Sequence, residues 1–422
     1  MSLLNTLLPT DFRAAMSPAL RRFFVSVFIA CAAMGLTLSL FIIYMHNVRG
    51  FSVTFATELL AASAVASLAS TPLWGTLTDR VGPVPTMLFS AVTSAGCLVG
   101  WAFIHSTTQA VVAGLSLAIF AGAGWGPGST LLTRLCPEEH RERAYGFNFA
   151  LVNLGIGVGS LFSALIVDLT KPVTFEYLYI IDAAVSVIAA VVVAPLWRQG
   201  RLAPSGEEVP EGGWSVVLRD THLLLYLAAS LFMMIGGYGS LESGFSLYVV
   251  NVLHVSVHAI GIIFLVSTVA IVIMQLPIIN LITGRSRMRL LALSATCWSL
   301  FWFVLALDQH VSTNLAVVTL SMAMVIFAVG ETVMAPVGAG FVNAAAPEHL
   351  RGRYNAAAGL TYSVSSFVSP LITGLYFDAS LARWWPLATG LTALIGAGLF
   401  LVLRRRITQA QDGKVLSPRA TS

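Results

Sequence analysis

Charge is scarce in this chain. Of its 422 residues only 10% are charged, and 57% are hydrophobic, with a mean hydropathy of +0.84. A soluble domain carries about 25% charged residues, and a soluble fold of this size could not cover its surface with so few. Lysine is nearly missing, Lys171 and Lys414 being the only two. The net charge of +4 comes from arginines in short polar breaks. No basic stripe with interleaved aromatics accompanies them, so a nucleic-acid partner is excluded. Cysteine is rare as well: Cys31, Cys97, Cys136 and Cys297 show no metal-ligand spacing and read as small apolar residues rather than a disulfide framework or a metal site. There is no nucleotide loop, metal cluster or nucleophile–base arrangement. The chain therefore does not read as an enzyme, and no cofactor is expected.

What the chain has is apolar length. A spanning helix needs ~20 apolar residues, and twelve such stretches fall at roughly 22–45, 53–76, 84–104, 109–133, 145–167, 177–197, 222–249, 257–281, 289–307, 314–341, 355–377 and 384–403. The first follows Leu-Arg-Arg-Phe-Phe at 20–24. It is too long for a signal-peptide core and has no small-residue cleavage site after it, so it reads as a retained span. With the N-terminus inside, 20 of the 23 Lys and Arg residues fall on the cytoplasmic side, leaving Arg49, Lys171 and Arg383 opposite. That bias supports twelve spans with both termini cytoplasmic. The expected fold is an all-α polytopic membrane protein of twelve transmembrane helices in two pseudo-symmetric six-helix halves. The expected boundaries are an N-terminal bundle at 1–197, a cytoplasmic linker at 198–221, a C-terminal bundle at 222–405 and a cytoplasmic tail at 406–422. A monomer in the bacterial inner membrane is expected.

The halves repeat. Pro-Glu-Glu-His-Arg-Glu-Arg from Pro137 lines up with Pro-Glu-His-Leu-Arg-Gly-Arg from Pro347, a shift of 210 that also places Asp168 on Asp378. Pro72 to Arg80 lines up with Pro277 to Arg285 at a shift of 205. Duplication of a six-span unit is a transporter signature, with the substrate path between the repeats.

The break between spans two and three reads Gly-Thr-Leu-Thr-Asp-Arg-Val-Gly from Gly75 to Gly82. It resembles the loop signature of the major facilitator superfamily, and the resemblance covers residues 20 to 405. Within that superfamily the chain is most similar to bacterial drug–proton antiporters and their relatives. Gly75 permits close helix contact. Asp79 ends a helix where the dipole disfavours a negative charge, so it wants a cationic or donor partner. The resemblance implies a cytoplasmic gate of Gly75, Asp79, Arg80 and Gly82, with Arg141 and Arg351 of the repeated loops. The chain departs from the family pattern at Pro83, where a second basic residue is common, and at Asn280 and Gly284 in the C-terminal copy. Span five has Gly159 followed by Ser160 rather than the antiporters' Gly-Pro, and span eleven carries Pro370.

Four carboxylates fall inside spans: Glu58, Asp182, Glu242 and Glu331. A charged acid in a bilayer costs about 2.5–3.5 kcal/mol on insertion scales, so each needs a reason to be there. Glu331 lies near mid-span, five residues before Pro336, and Glu242 lies among Gly236, Gly237, Gly239 and Gly244. Glu58 and Asp182 fall in the outer thirds of their spans. All four are proton-coupling candidates. Each has a plainer alternative as a helix-to-helix hydrogen-bonding group. No basic residue lies deep in a span, which disfavours an organic dianion as cargo. Tyr44, Trp125, Tyr238, Trp298 and Trp302 are candidate pocket walls, with lipid contact as the alternative. Three functional readings stay open. The first is proton-coupled export of small amphipathic compounds. The others are import or facilitation of a neutral metabolite or lipid, and a non-transporting membrane sensor.

The topology has a direct test. In a background without native cysteines, Ser205→Cys and His310→Cys should label from opposite faces of the membrane, and labelling from one face would contradict the orientation.

Overall fold

In the computed structural model the described residues are 12, 16–121, 125–137, 140–198, 214–282, 284–347 and 350–413. Among them there are helices and connections but no strand. Twelve long helical segments follow one another: α1 Pro18–Val48, α2 Val53–Val81, α3 Pro83–Ala102, α4 in two described stretches Thr107–Ala121 and Trp125–Leu135, α5 Arg141–Ile166 and α6 Val173–Val193, then α7 Thr221–Asn251, α8 Val257–Ile282, α9 Arg287–Leu307, α10 Thr313–Ala345, α11 Arg351–Asp378 and α12 Trp385–Arg404. Eleven are long and apolar enough to cross a membrane. The other is α11, 28 residues long, whose many hydroxyl side chains lower its hydropathy. The all-α, twelve-span fold expected from the sequence is the one observed.

The helix starts follow local chemistry. Ser17 accepts from Leu20 N at 3.1 Å ahead of Pro18, Ser52 accepts from Phe55 N at 3.1 Å, and Asp220 accepts from His222 N and Leu223 N at 2.9 and 3.1 Å. These are N-caps that satisfy first-turn donors. Gly82 ends α2 at φ 94°, a conformation suited to glycine. Pro83 then opens α3 at its first position, where a missing N–H costs nothing. This accounts for the proline in place of a basic residue. Gly284 likewise turns at φ 74° between α8 and α9.

The repeat is visible in the backbone. α5 and α11 start at Arg141 and Arg351, 210 residues apart, and their N-caps, His140 and Leu350, share nearly the same dihedrals (φ −111° and −113°, ψ 0° for both). Pro72 and Pro277 both lie inside their helices.

The chain divides into two compact units. Unit 1 comprises Met1–Gly206 with Val255–Val272, and unit 2 comprises Glu207–His254 with Ile273–Ser422. In unit 1 the glycines of α5 make two contact faces. A Cβ on Gly155 would meet the Cys31 Cβ and the Phe28 carbonyl at 2.8 Å, and one on Gly159 would collide with the Ala32 carbonyl, so this face lies on α1. Gly157 faces Thr268 of α8 instead. Small residues at four-residue spacing allow such approach in lipid. Ser160 also donates to the Gly35 carbonyl at 3.1 Å.

The far end of α1 changes from α-helix to 3₁₀ at Leu38–Leu40 and to a π turn at Tyr44–Val48. Arg49 holds it there. Its guanidinium bonds Glu176 of α6 at 3.0 Å and the Tyr44 hydroxyl at 2.8 Å, and also reaches the Ala102 carbonyl.

The glycine contacts generate a prediction. Gly159→Ala should destabilise the protein by roughly 1–3 kcal/mol through overpacking. Gly146→Ala, where a Cβ meets nothing within 4 Å among the described residues, should be neutral or slightly stabilising. Thermal unfolding of the two variants in one detergent reads the difference, and equal melting temperatures would contradict the packing.

Candidate functional site

In unit 2, α7 is the irregular element. Two π turns, Ile235–Gly239 and Leu241–Phe245, follow each other, and Gly237 leaves helical geometry at φ −117°, ψ −112°. Such π segments free backbone carbonyls and cluster at functional sites. Here the freed groups are caught: Trp302 donates to the Gly236 carbonyl at 2.6 Å and Ser240 to that of Ile235 at 2.7 Å. Each glycine of the run admits a different neighbour. Gly236 meets Ala393 of α12, Gly237 the Trp298 ring of α9, Gly239 the Ser369 side chain of α11, and Gly244 the Trp385 ring.

The distorted stretch carries Tyr238 and Glu242. Tyr362 of α11 donates to both Glu242 oxygens, at 3.0 and 3.3 Å. Tyr238 interacts with Glu331 of α10. The two tyrosine rings stand 6.3 Å apart, edge to face. Two carboxyls from different helices are thus joined through two phenols. The ends of the chain differ. Glu331 is 5% exposed, whereas Tyr362, beside Glu242, is 45% exposed. The sealed end is backed by Trp298, which stacks on Phe327 at 4.9 Å, meets Tyr238 edge-on at 5.3 Å and donates to the Phe327 carbonyl at 3.1 Å. A Cβ on Gly330 would lie 2.9 Å from Trp298, so a glycine beside Glu331 lets that ring in.

The hydroxyl face of α11 explains its composition. Ser365, Ser369 and Thr373 are fully buried. Thr373 shares a hydrogen bond with Ser243 at 3.1 Å, and Ser365 donates to the Tyr362 carbonyl at 2.8 Å.

The other candidates sit elsewhere. Asp182 is buried in unit 1, accepting from Thr37 at 2.7 Å and from Ser186 at 3.3 Å. α6 starts at Val173, earlier than the 177 expected, so Asp182 lies near mid-helix rather than in the outer third. Glu58 is exposed on α2. Tyr44 is buried against Trp101, Phe175 and Tyr179 and donates to the Ala102 carbonyl at 2.9 Å. Trp302 is sealed between α7 and Trp385. In the last turn of α2, rather than in the loop expected there, Arg80 is exposed. A Cβ on Gly75 would meet nothing within 4 Å among the described residues, so the close helix contact expected there is not made. The side chains of Asp79, Trp125, Arg141 and Arg351 lie outside the described residues, as do most of the 198–221 linker and the tail beyond 413. Sequence reading missed Tyr362 and Phe327. A tyrosine in the hydroxyl-rich span eleven was the available signal for the first, and Phe327 gave none.

Comparison with known proteins places this geometry. A family model described as Major Facilitator Superfamily matches residues 23–254 and 241–420. An uncharacterized MFS-type transporter of Bacillus subtilis, YhjO, is 24% identical over 339 residues, 79% of this chain and 80% of its own. The quinolone resistance protein NorA of Staphylococcus aureus is 22% identical over 396 residues, covering 90% of this chain and 94% of its own. Among solved structures, a POT family transporter in complex with a thioalcohol-conjugated peptide superposes with a TM-score of 0.74 at 15% identity, covering 96% of this chain and all of that one.

The contact of Gly237 with Trp298 is open to a double-mutant cycle. Gly237→Ala should lower the melting temperature sharply because the ring cannot yield. Adding Trp298→Leu should recover part of that loss. Strict additivity of the two changes would contradict the contact.

Proposed function

The chain belongs to the Major Facilitator Superfamily and is a multi-pass membrane transporter, and from that premise we propose that it exports small amphipathic compounds across the inner membrane in exchange for protons. The observation that carries the reading is the pair Glu242 and Glu331, the first accepting from the Tyr362 hydroxyl and the second interacting with Tyr238, whose ring lies against that of Tyr362. Among the described residues neither acid has a basic partner, so neutralising it takes a proton. The tyrosines stabilise either form: a phenol donates to a carboxylate and accepts from a carboxylic acid. Glu242, at the open end, exchanges with water, and Glu331 holds the proton at the sealed end. Coupling follows if the occupied and empty forms favour different conformations. Similarity to a quinolone resistance protein supports amphipathic cargo. The cytoplasmic gate of this reading is Asp79 and Arg80 with Arg141 and Arg351, and both termini are cytoplasmic.

A second reading, uptake of a neutral metabolite on the same fold, draws on the peptide-bound neighbour. The acids then hold helices together without titrating.

Proteoliposomes under an imposed pH gradient separate the two, using a panel of cationic and neutral amphipathic dyes and quinolones. Glu331→Gln keeps the shape of the neutral form and should abolish gradient-driven transport while sparing passive exchange. Glu242→Gln should slow it at least tenfold. Normal rates and normal proton dependence in both variants would sink the coupling proposal in favour of a facilitator.

A further inference from the structure

Unit 1 contains a cavity of about 500 Å³ that plays no part in the carboxyl–tyrosine chain. It lies among α1, α3, α4, α5 and α6, toward the end of the unit that carries Arg22 and Arg134. Small-molecule sites run about 300–1,000 Å³ and combine apolar walls with a few placed polar groups. The walls here are Phe23, Met34, Met87 and Leu132, two of them methionines, which adapt to varied shapes. Among the described residues no charged side chain lines it.

Two of its polar atoms set it apart from a packing void. Among the described residues Ser94 Oγ and Asn148 Oδ1 are buried without a hydrogen-bond partner, and Ser94 is nine-tenths buried. A buried polar atom left unpaired costs about 1–3 kcal/mol, so two in one lining, on α3 and α5, mark a place that something else completes. Other lining hydroxyls are already satisfied. Ser26 donates to the Ala189 carbonyl at 2.8 Å and Ser90 to that of Phe120 at 2.6 Å. The mouth lies at Ser129 and Tyr145, both exposed, whose hydroxyls bond each other at 2.8 Å. Asp182 stands behind Ser186, outside the lining.

We propose that this cavity binds an uncharged amphipathic molecule through a hydroxyl or amide N–H that donates to Asn148 Oδ1 and pairs with Ser94, its apolar body lying on Phe23, Met34, Met87 and Leu132. Asn148 Oδ1 accepts only, which requires a donor on the ligand. The charge-free lining gives a charged group no compensation for lost water, which selects a neutral one. The inference extends the export reading by naming a substrate class, and its site is separate from the coupling acids.

The test is equilibrium dialysis of radiolabelled 2-naphthol against the full-length protein in phosphatidylcholine nanodiscs, with empty nanodiscs as the partition control. No gradient is applied, so loss of coupling leaves the result intact. A saturable one-to-one component is expected. The methyl ether 2-methoxynaphthalene, similar in shape without the donor, should bind roughly tenfold more weakly. Asn148→Leu should weaken 2-naphthol by a similar factor and leave the ether unchanged. Ala190→Phe, which fills the cavity from α6, should abolish the component. Competition by dioleoylglycerol added to the nanodiscs assigns the site to a neutral lipid, and absence of competition assigns it to a free solute. Both outcomes keep the site. No saturable component in the wild-type protein, or equal binding of naphthol and its ether, overturns the proposal, and the ether comparison needs no variant to fold.

Discussion

Hydrocarbon offers a polar group neither water nor a counter-ion, so a donor, acceptor or acid inside a span is costly unless it finds a partner within the protein. That constraint organises unit 2. α7 leaves α-helical geometry between Ile235 and Phe245, and the carbonyls this frees are met by the Trp302 indole and the Ser240 hydroxyl. The same irregular stretch presents Tyr238 and Glu242, and the same rule gives each acid a phenol. An unbroken α7 would satisfy its own backbone and place these side chains differently. The distortion and the carboxyl pair are therefore one structural solution.

Glycine supplies the room for it. Around α7 four glycines admit four different neighbours, and Gly330 opens the facing helix to Trp298. In α5 the glycines serve packing alone, with one face on α1 and the other on the start of α8. The two units use the same residue for different ends, as an aromatic-walled acid site in one and as close helix contact in the other. Unit 1 keeps its own polar burdens: Asp182 held by Thr37 and Ser186, and Arg49 tied to Glu176 and Tyr44.

Much of this was legible in the sequence because the bilayer constrains composition so strongly. Apolar length located the helices, and Glu242 among glycines and Glu331 before Pro336 stood out as acids that hydrocarbon penalises. The stretch at 355–377 was read as apolar with the rest, yet α11 is less apolar than the other helices, and only the fold explains that content: Ser365, Ser369 and Thr373 are buried. What sequence could not supply was pairing across helices. Nothing local joins Tyr362 to Glu242, 120 residues away, or Arg49 to Glu176. The π turns were hinted at by glycines, but their positions depend on Trp298 and Trp302 arriving from α9. Asp182 was placed too near its helix end because Phe175 and Glu176, ahead of the assigned span, continue the helix.

The central claim is that Glu242 and Glu331 change protonation during the cycle. Infrared difference spectroscopy of the protein in lipid films, stepped between acidic and alkaline buffer, observes this at the carboxyl C=O stretch. The account predicts a protonated-carboxyl band on acidification from which either Glu→Gln variant removes one component and the double variant removes both, against the background of the other carboxyls. A band of full intensity in the double variant would contradict it.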